Sequence, residues 1–484
     1  MARLVVLGAG VAGHTAALWA RRWLGKEHEV VVVSPNEKWN WIPSNIWVGV
    51  GRMSAEQVTF PLAPIYKRQG IKFYQAKATE IHPEGDAEHA KPYIVASSTL
   101  KKSQGDAVVV EYDYLINCTG PKLNFAATPG LGPDGNSLSV CSAAHATDTA
   151  AQFKAAIERL RAGEHLRFVI GTGHGTCTCE GAAFEFTFNV EHELRAAGVR
   201  DKAEVVYFSN EAELGDFGVG GLTLTQMGYQ TTSQLWTESL FRERGVHAIL
   251  GAHATKVEPG KLSYEQLDGS THELDFDFAM LLPPFRGADL VAYDKDGNDI
   301  SSQLFNPAGF LKVDANYNAG AYENWKADDW PKIYRSPAYG NIYAAGIAFA
   351  PPHQISRPRT NPNGTVITPA PPRTGMPSGM IAKAVAHTIT DQINGKQAEP
   401  HAAPMTAMGA ACVASAGANM RKGSAAAMTM HPVVPDWQKY PKTGRDIKGT
   451  SGEIGLAGHW IKYMLHVLFI HKAKVRPFWW LIPE

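Results

Sequence analysis

Two copies of one local pattern constrain the fold of this chain more than any other feature. Leu4 to Leu7 is a short apolar run that leads into Gly8, Gly10 and Gly13, and His14 to Leu24 follows with helical spacing of Ala, Leu and Trp. After a turn at Gly25 to His28, Val30 to Val33 reads as a second buried strand. In such a unit the first glycine permits a tight turn and the second lets a pyrophosphate approach the backbone. The third lets helix and strand pack closely, and the helix N-terminus faces the phosphates. The order recurs later: a strand at Phe168 to Ile170, a turn with Gly171, Gly173 and Gly175, a helix from about Ala182, and a strand at Glu204 to Phe208. The expected fold class is α/β, with two Rossmann-like dinucleotide-binding domains. An acidic residue usually ends the second strand and holds the ribose hydroxyls. Here Ser34 and Asn36 stand in that region and are the candidates for those hydrogen bonds.

With 484 residues, two or three domains are expected. Lys plus Arg equals Asp plus Glu at 46 each, so no global field draws the chain to nucleic acid. Met1 to Val6 has neither a charged n-region nor a cleavage site, so no signal peptide is expected. Five cysteines in a chain this long do not make a disulfide framework, so a cluster of them is better read as chemistry. Cys177 and Cys179 fall at the second glycine turn, where the partial positive charge of a helix N-terminus favours thiolate. A nicotinamide site would need small residues there. A disulfide between i and i+2 would be strained and therefore labile; Cys177 with Cys179, or one of them with Cys141, are the alternatives. Glu185, six residues after Cys179 on an apolar helix, is a candidate proton shuttle or an ordinary solvated acid.

Several segments together carry a family resemblance. They are Asn40 to Gly51 with Pro43, Ser44 and Asn45; Tyr114 to Leu123 with Cys118, Thr119 and Gly120; Ser139 to Cys141; Cys179 to Phe186; Leu281 to Phe285; Tyr343 to Gly346; and Pro372 to Gly375. In this order they resemble the sulfide:quinone oxidoreductases over roughly Ala2 to Val413. The resemblance implies a glutathione-reductase-like flavoprotein that oxidises sulfide to zero-valent sulfur or polysulfide and reduces membrane quinone. It implies FAD in the first domain, with Pro43, Asn45, Thr119, Gly120, Gly346 and Gly375 along the cofactor. A helix starting after Thr374 would aim its N-terminal dipole at the flavin. By matching positions Cys179 is the flavin-side cysteine, and Cys141 matches the cysteine that tethers the flavin's 8-methyl group in some relatives. The resemblance further implies a homo-oligomer, a dimer or a trimer. One departure matters: relatives place a partner cysteine soon after the Gly346 segment, and this chain has Ile347, Ala348, Phe349 and Ala350 there. The expectation drawn from this is that Cys177 replaces it.

The expected division is 1–125 and 316–400 for the two parts of the FAD-binding domain, 126–315 for the second Rossmann-like domain, and 401–484 for a C-terminal membrane-associating region. Pro351 to Pro377, rich in Pro, Asn and Thr, reads as a cover over the active site. Near the end, Leu456, Ala457, Trp460, Ile461, Met464, Leu465, Leu468 and Phe469 recur at helical spacing, with His459, Lys462, Tyr463 and His466 on another face. A short amphipathic helix followed by basic residues and tryptophans suits a lipid surface and a peripheral, monotopic attachment. Two other functions share much of this pattern: a type II NADH:quinone oxidoreductase, and a flavin-bearing persulfide carrier with low turnover.

Overall fold

The computed structural model describes residues 1–178, 180–373 and 375–484. The first glycine unit forms as expected: strand Arg3–Leu7, helix Val11–Trp23 and strand Glu29–Ser34. Its two strands pair in parallel with Leu7 opposite Val33, and Tyr114–Asn117 pairs in parallel on the other side of Arg3–Leu7. Ile342–Ala344 extends that edge, while Lys72–His82 continues the other and receives the antiparallel strands Tyr93–Ser98 and Ala107–Glu111. Parallel strands covered on both faces need near-continuous apolar sequence, and Val30 to Val33 are accordingly buried throughout. Helix Met376–Ile393, late in the chain, packs against Val11–Trp23 and so returns to this first sheet.

The second unit is a four-stranded parallel sheet in the order His247–Ile249, Ala203–Phe208, Leu166–Thr172, Phe278–Leu282. Its crossover helix, Glu180–Ala196, is buried along nearly all of its length. A three-stranded antiparallel meander, Ala252–Asp275, flanks it.

A third sheet joins distant parts of the chain. Strands Ala410–Ser415, Ala425–Met430 and Ser451–Gly455 form an antiparallel set, which continues through Thr225 opposite Ser451 into the hairpin Thr223–Thr232. The residues around 400–430 offer no strand signal in sequence, because alanine is depleted in strands. They form strands here because they pack on the buried crossover helix.

The C-terminal helix, Leu456–Ala473, and the residues after it are anchored by polar contacts. His14 Nε2 meets Ala473 O at 2.8 Å, and Trp19 Nε1 donates to Glu484 Oε1 at 2.6 Å. Lys472 Nζ lies 2.7 Å from the same carboxylate oxygen of Glu484. Burial holds His14 neutral, with its pKa lowered to about 4.

Candidate functional site

The two glycine turns look alike in sequence and differ in what faces them. At the first, a β-carbon on Gly8 would stand 2.2 Å from Cys118 O, and one on Gly13 would stand 2.0 Å from Gly8 O. Gly8 has φ +92°, which only glycine adopts without strain. A β-carbon on Gly10 would meet nothing within 4 Å. The outer two glycines are thus demanded by packing, and the middle one faces open space, as a pyrophosphate requires. Ser34, at the end of the second strand, is 1 % exposed and its hydroxyl has no hydrogen-bond partner among the described residues. An orphaned buried hydroxyl at the ribose position is what a bound dinucleotide would satisfy. Asn36 is exposed beside it.

Thr119, Gly120 and Gly346 follow strands that run parallel to Arg3–Leu7, at the same sheet edge as the first glycine turn. Thr119 donates to Asn117 Oδ1 from both its amide (3.1 Å) and its hydroxyl (2.8 Å). Gly120, Gly346 and Gly375 all have positive φ, and a β-carbon on Gly346 would stand 2.9 Å from Ala12 Cβ. Gly375 caps helix Met376–Ile393, whose first turn holds no acidic residue and whose amides receive no side-chain cap among the described residues. That end remains electropositive, suited to an anionic group. These features fit FAD.

At the second turn the same space is filled. A β-carbon on Gly173 would meet the Leu131 side chain at 2.5 Å, and one on Gly175 would meet Val366 O at 2.4 Å. The Pro-rich stretch supplies Val366, and it is tied down rather than draped. Thr368 N donates to Gly175 O and Ala370 N to Cys177 O, both at 2.8 Å, while Asn361 and Asn363 each donate to Glu265 Oε2 at 2.9 Å. Glu211, the acid nearest the end of the following strand, is turned inward. It accepts from Tyr207 Oη (2.7 Å), Ser209 Oγ (2.8 Å) and Phe217 N (2.8 Å). Burial, opposed by these bonds, raises its pKa to about 7. Glu180 is likewise fully buried, and burial together with Glu211 holds it protonated well above the carboxylate range.

Of the candidate cysteines, Cys179 lies outside the described residues. Cys177 is completely buried, and its Sγ lies 3.1 Å from Leu282 O as a hydrogen-bond donor. Its place is the floor of the turn, under the Pro-rich stretch. Cys141 is half-buried, immediately before Ser142, the N-cap of helix Ala143–Arg161. Its amide donates to Ser139 Oγ at 3.1 Å, and burial pushes its thiol up to about 11. Asn45 binds that segment by donating to Val140 O at 3.2 Å and exchanges side-chain bonds with Asn40. Pro43 begins the short turn that delivers Asn45. Cys118 is buried against Gly8 and Gly13 and serves packing.

Glu185 is buried rather than solvated. Its Oε2 lies 3.0 Å from Lys462 Nζ of the C-terminal helix, and its Oε1 accepts from Ser415 N (3.0 Å) and Ser415 Oγ (2.6 Å). Trp47 Nε1 also donates to Ser415 Oγ, at 2.9 Å. Cys412, Ser415 and Lys462 were not among the sequence candidates. The first two fall in the alanine-rich region without a clear pattern, and Lys462 reads as a cation on the polar face of an amphipathic helix.

The family pattern described as pyridine nucleotide-disulphide oxidoreductase matches residues 2–317. The sulfide-quinone reductase of Aquifex aeolicus is 30% identical over 471 residues, covering 97% of this chain and 91% of the relative. The chain belongs to the sulfide-quinone reductase family. The X-ray structure of the sulfide:quinone oxidoreductase from Aquifex aeolicus agrees with a TM-score of 0.74 at 26% identity, covering 98% of this chain and 92% of that one. NDH2 from Plasmodium falciparum, in complex with NADH, shares the fold at 14% identity and a TM-score of 0.62, over 99% of this chain and 97% of that one. The expected α/β flavoprotein fold is borne out, and among the described residues no helix is long and apolar enough to cross a membrane.

Membership in the sulfide-quinone reductase family gives the filled second turn its meaning. Among the described residues, the middle glycine of the first turn, Gly10, faces open space, whereas Leu131 and Val366 lie against Gly173 and Gly175 of the second.

Proposed function

We infer that this protein, with FAD as its cofactor, oxidises sulfide and passes the electrons to quinone at a lipid surface. The observation that carries this reading is the contrast between the two glycine turns, one open and one filled by its own chain. FAD, when bound, supplies a two-electron acceptor for sulfur and a two-electron donor for quinone. Gly10, Ser34, Thr119, Gly346 and Gly375 would hold it. By resemblance Cys179 would act as the flavin-side cysteine, and Cys141, next to Val140 whose carbonyl Asn45 holds, would tether the flavin. Glu185 acts through its ion pair, fixing Lys462 and Ser415 near the start of the cysteine helix.

The burial pattern of the C-terminal helix supports the lipid surface. Its polar residues face inward: His459, Lys462 and His466 are 2 %, 8 % and 8 % exposed. Its apolar residues face outward: Trp460, Ile461, Met464 and Val467 are 50 %, 42 %, 51 % and 47 % exposed. An amphipathic helix in water does the reverse. Ile42, Phe478 and Leu481, also exposed, add to the apolar residues that would contact lipid. Arg68, Lys474 and Arg476 rim a groove of about 480 Å³ floored by Phe60, Ile65 and Val475. Cations above an apolar floor suit anionic lipid at the bilayer interface.

Steady-state quinone reduction with sulfide or NADH as the donor tests the function. Sulfide should support turnover and NADH should not; the opposite result would return the protein to the NADH:quinone class.

A further inference from the structure

We propose that His387, Asp391 and His401 form a binding site for one divalent transition metal ion of the zinc class, an ion that no step of the sulfide chemistry calls for.

Convergence of the ligand atoms is the first support. His387 and Asp391 stand four residues apart on helix Met376–Ile393, a spacing that puts both side chains on one face. His401 returns to that face from the segment that follows the helix. One carboxylate oxygen gathers the three: Asp391 Oδ2 lies 2.9 Å from His401 Nε2 and 3.8 Å from His387 Nε2. One ligand atom from each residue lies within 4.8 Å of the other two. Tetrahedral zinc holds imidazole nitrogen at about 2.0–2.1 Å and carboxylate oxygen at about 2.0–2.2 Å, which sets its ligand atoms roughly 3.4 Å apart. The two measured separations fall on either side of that value, so side-chain adjustments of about half an ångström seat the ion.

The way the ligands are held is an independent support. The other oxygen of Asp391, Oδ1, is taken by Lys396 Nζ at 2.8 Å, which leaves Oδ2 to the two rings. The His401 amide donates to Thr388 Oγ1 at 2.9 Å and pins the returning segment to the helix beside His387. The two imidazoles stack with centroids 3.6 Å apart and planes 7° from parallel, and Trp23 stacks on His387 at 4.4 Å. Ligands whose rings are locked by packing and by hydrogen bonds outside the site are the arrangement a metal requires. The helix end nearby carries partial negative charge, and its last turn holds no basic residue to compensate it.

Two imidazole nitrogens and one carboxylate oxygen select zinc, copper or nickel over magnesium and calcium. Three protein ligands leave a fourth position, and the His387 and His401 side chains are 37% and 35% exposed, so water reaches it. His387 lies roughly 16 Å along the axis from the helix end expected to face the flavin. The ion is therefore a clasp rather than a redox group. It ties helix Met376–Ile393 to the chain that continues into strand Ala410–Ser415.

The test starts from the flavin-containing protein stripped with EDTA and loaded with zinc sulfate. Sulfide is left out, because it would precipitate the metal. After dialysis the wild type should keep one zinc per chain more than His401→Ala or Asp391→Asn, and should retain no magnesium. Zinc should raise the thermal midpoint of the wild type and not of the variants. X-ray absorption of the zinc-loaded wild type should show imidazole nitrogen at about 2.0–2.1 Å, and this decides the matter even where a variant fails to fold. Equal zinc in the wild type and the folded variants, no zinc retained, or a shell of sulfur alone at about 2.3 Å overturns the site.

Discussion

The Lys462 ammonium lies 3.0 Å from the Glu185 carboxylate, both side chains almost fully buried, and this pair fastens the C-terminal helix to helix Glu180–Ala196. A chain separation of 277 residues is closed by one contact. It explains why the polar side of an otherwise lipid-suited helix points inward.

Removing one partner leaves an uncompensated buried charge. Lys462→Met or Glu185→Gln should each destabilise the protein, the former by about 3–5 kcal/mol, and the double variant should recover much of that loss. Urea unfolding of the four proteins checks it. The two single variants should also move Cys412 in opposite directions: its alkylation slows without Lys462 and quickens without Glu185.

The open face of the first turn predicts a separation of binding from folding. Gly10→Val should retain its secondary structure and lose FAD, because the new side chain enters the pyrophosphate space. Ser34→Ala should weaken FAD by up to about tenfold, the worth of one hydrogen bond. Flavin content and far-ultraviolet circular dichroism together distinguish these outcomes from unfolding.

Glu211 makes stability depend on pH. Its folded pKa is about 7 against an ordinary 4.5, so the folded state holds the proton more tightly than the unfolded chain. Stability is fully present below about 4.5 and is lost as pH rises through about 7, by on the order of 3 kcal/mol from this group. Burial raises Glu180 and Asp216 in the same direction and adds to the slope. The thermal midpoint should therefore fall between pH 5 and pH 8, and Glu211→Gln should flatten that fall. A midpoint that rises over this range contradicts the assignment.

The outward apolar face predicts reversible lipid binding. Trp460→Glu with Met464→Glu should abolish sedimentation with anionic vesicles while leaving flavin content unchanged, since both side chains are half exposed. Arg476→Glu should weaken it by reversing one charge on the groove rim.

Local pattern made the first glycine unit, Ser34 and the amphipathic end legible from sequence, because their signals lie within a few residues of one another. The filling of the second turn was not, since Leu131 and Val366 come from far along the chain. The Pro-rich stretch reads as a cover, but its fixed hydrogen bonds to Gly175 and Cys177 are tertiary facts. Glu185 was recognised as chemically notable, whereas its partner Lys462 has the periodicity of a surface cation. Ser415, which binds Glu185, was missed because alanine-rich strands carry no strand signature, and packing on the crossover helix overrides their propensity.

The central claim is most directly tested by following flavin absorbance anaerobically while sulfide and then a short-chain quinone are added to the holoenzyme. Rapid bleaching by sulfide, full recovery with quinone and no response to NADH are the predicted result. Bleaching by NADH with indifference to sulfide would contradict the account.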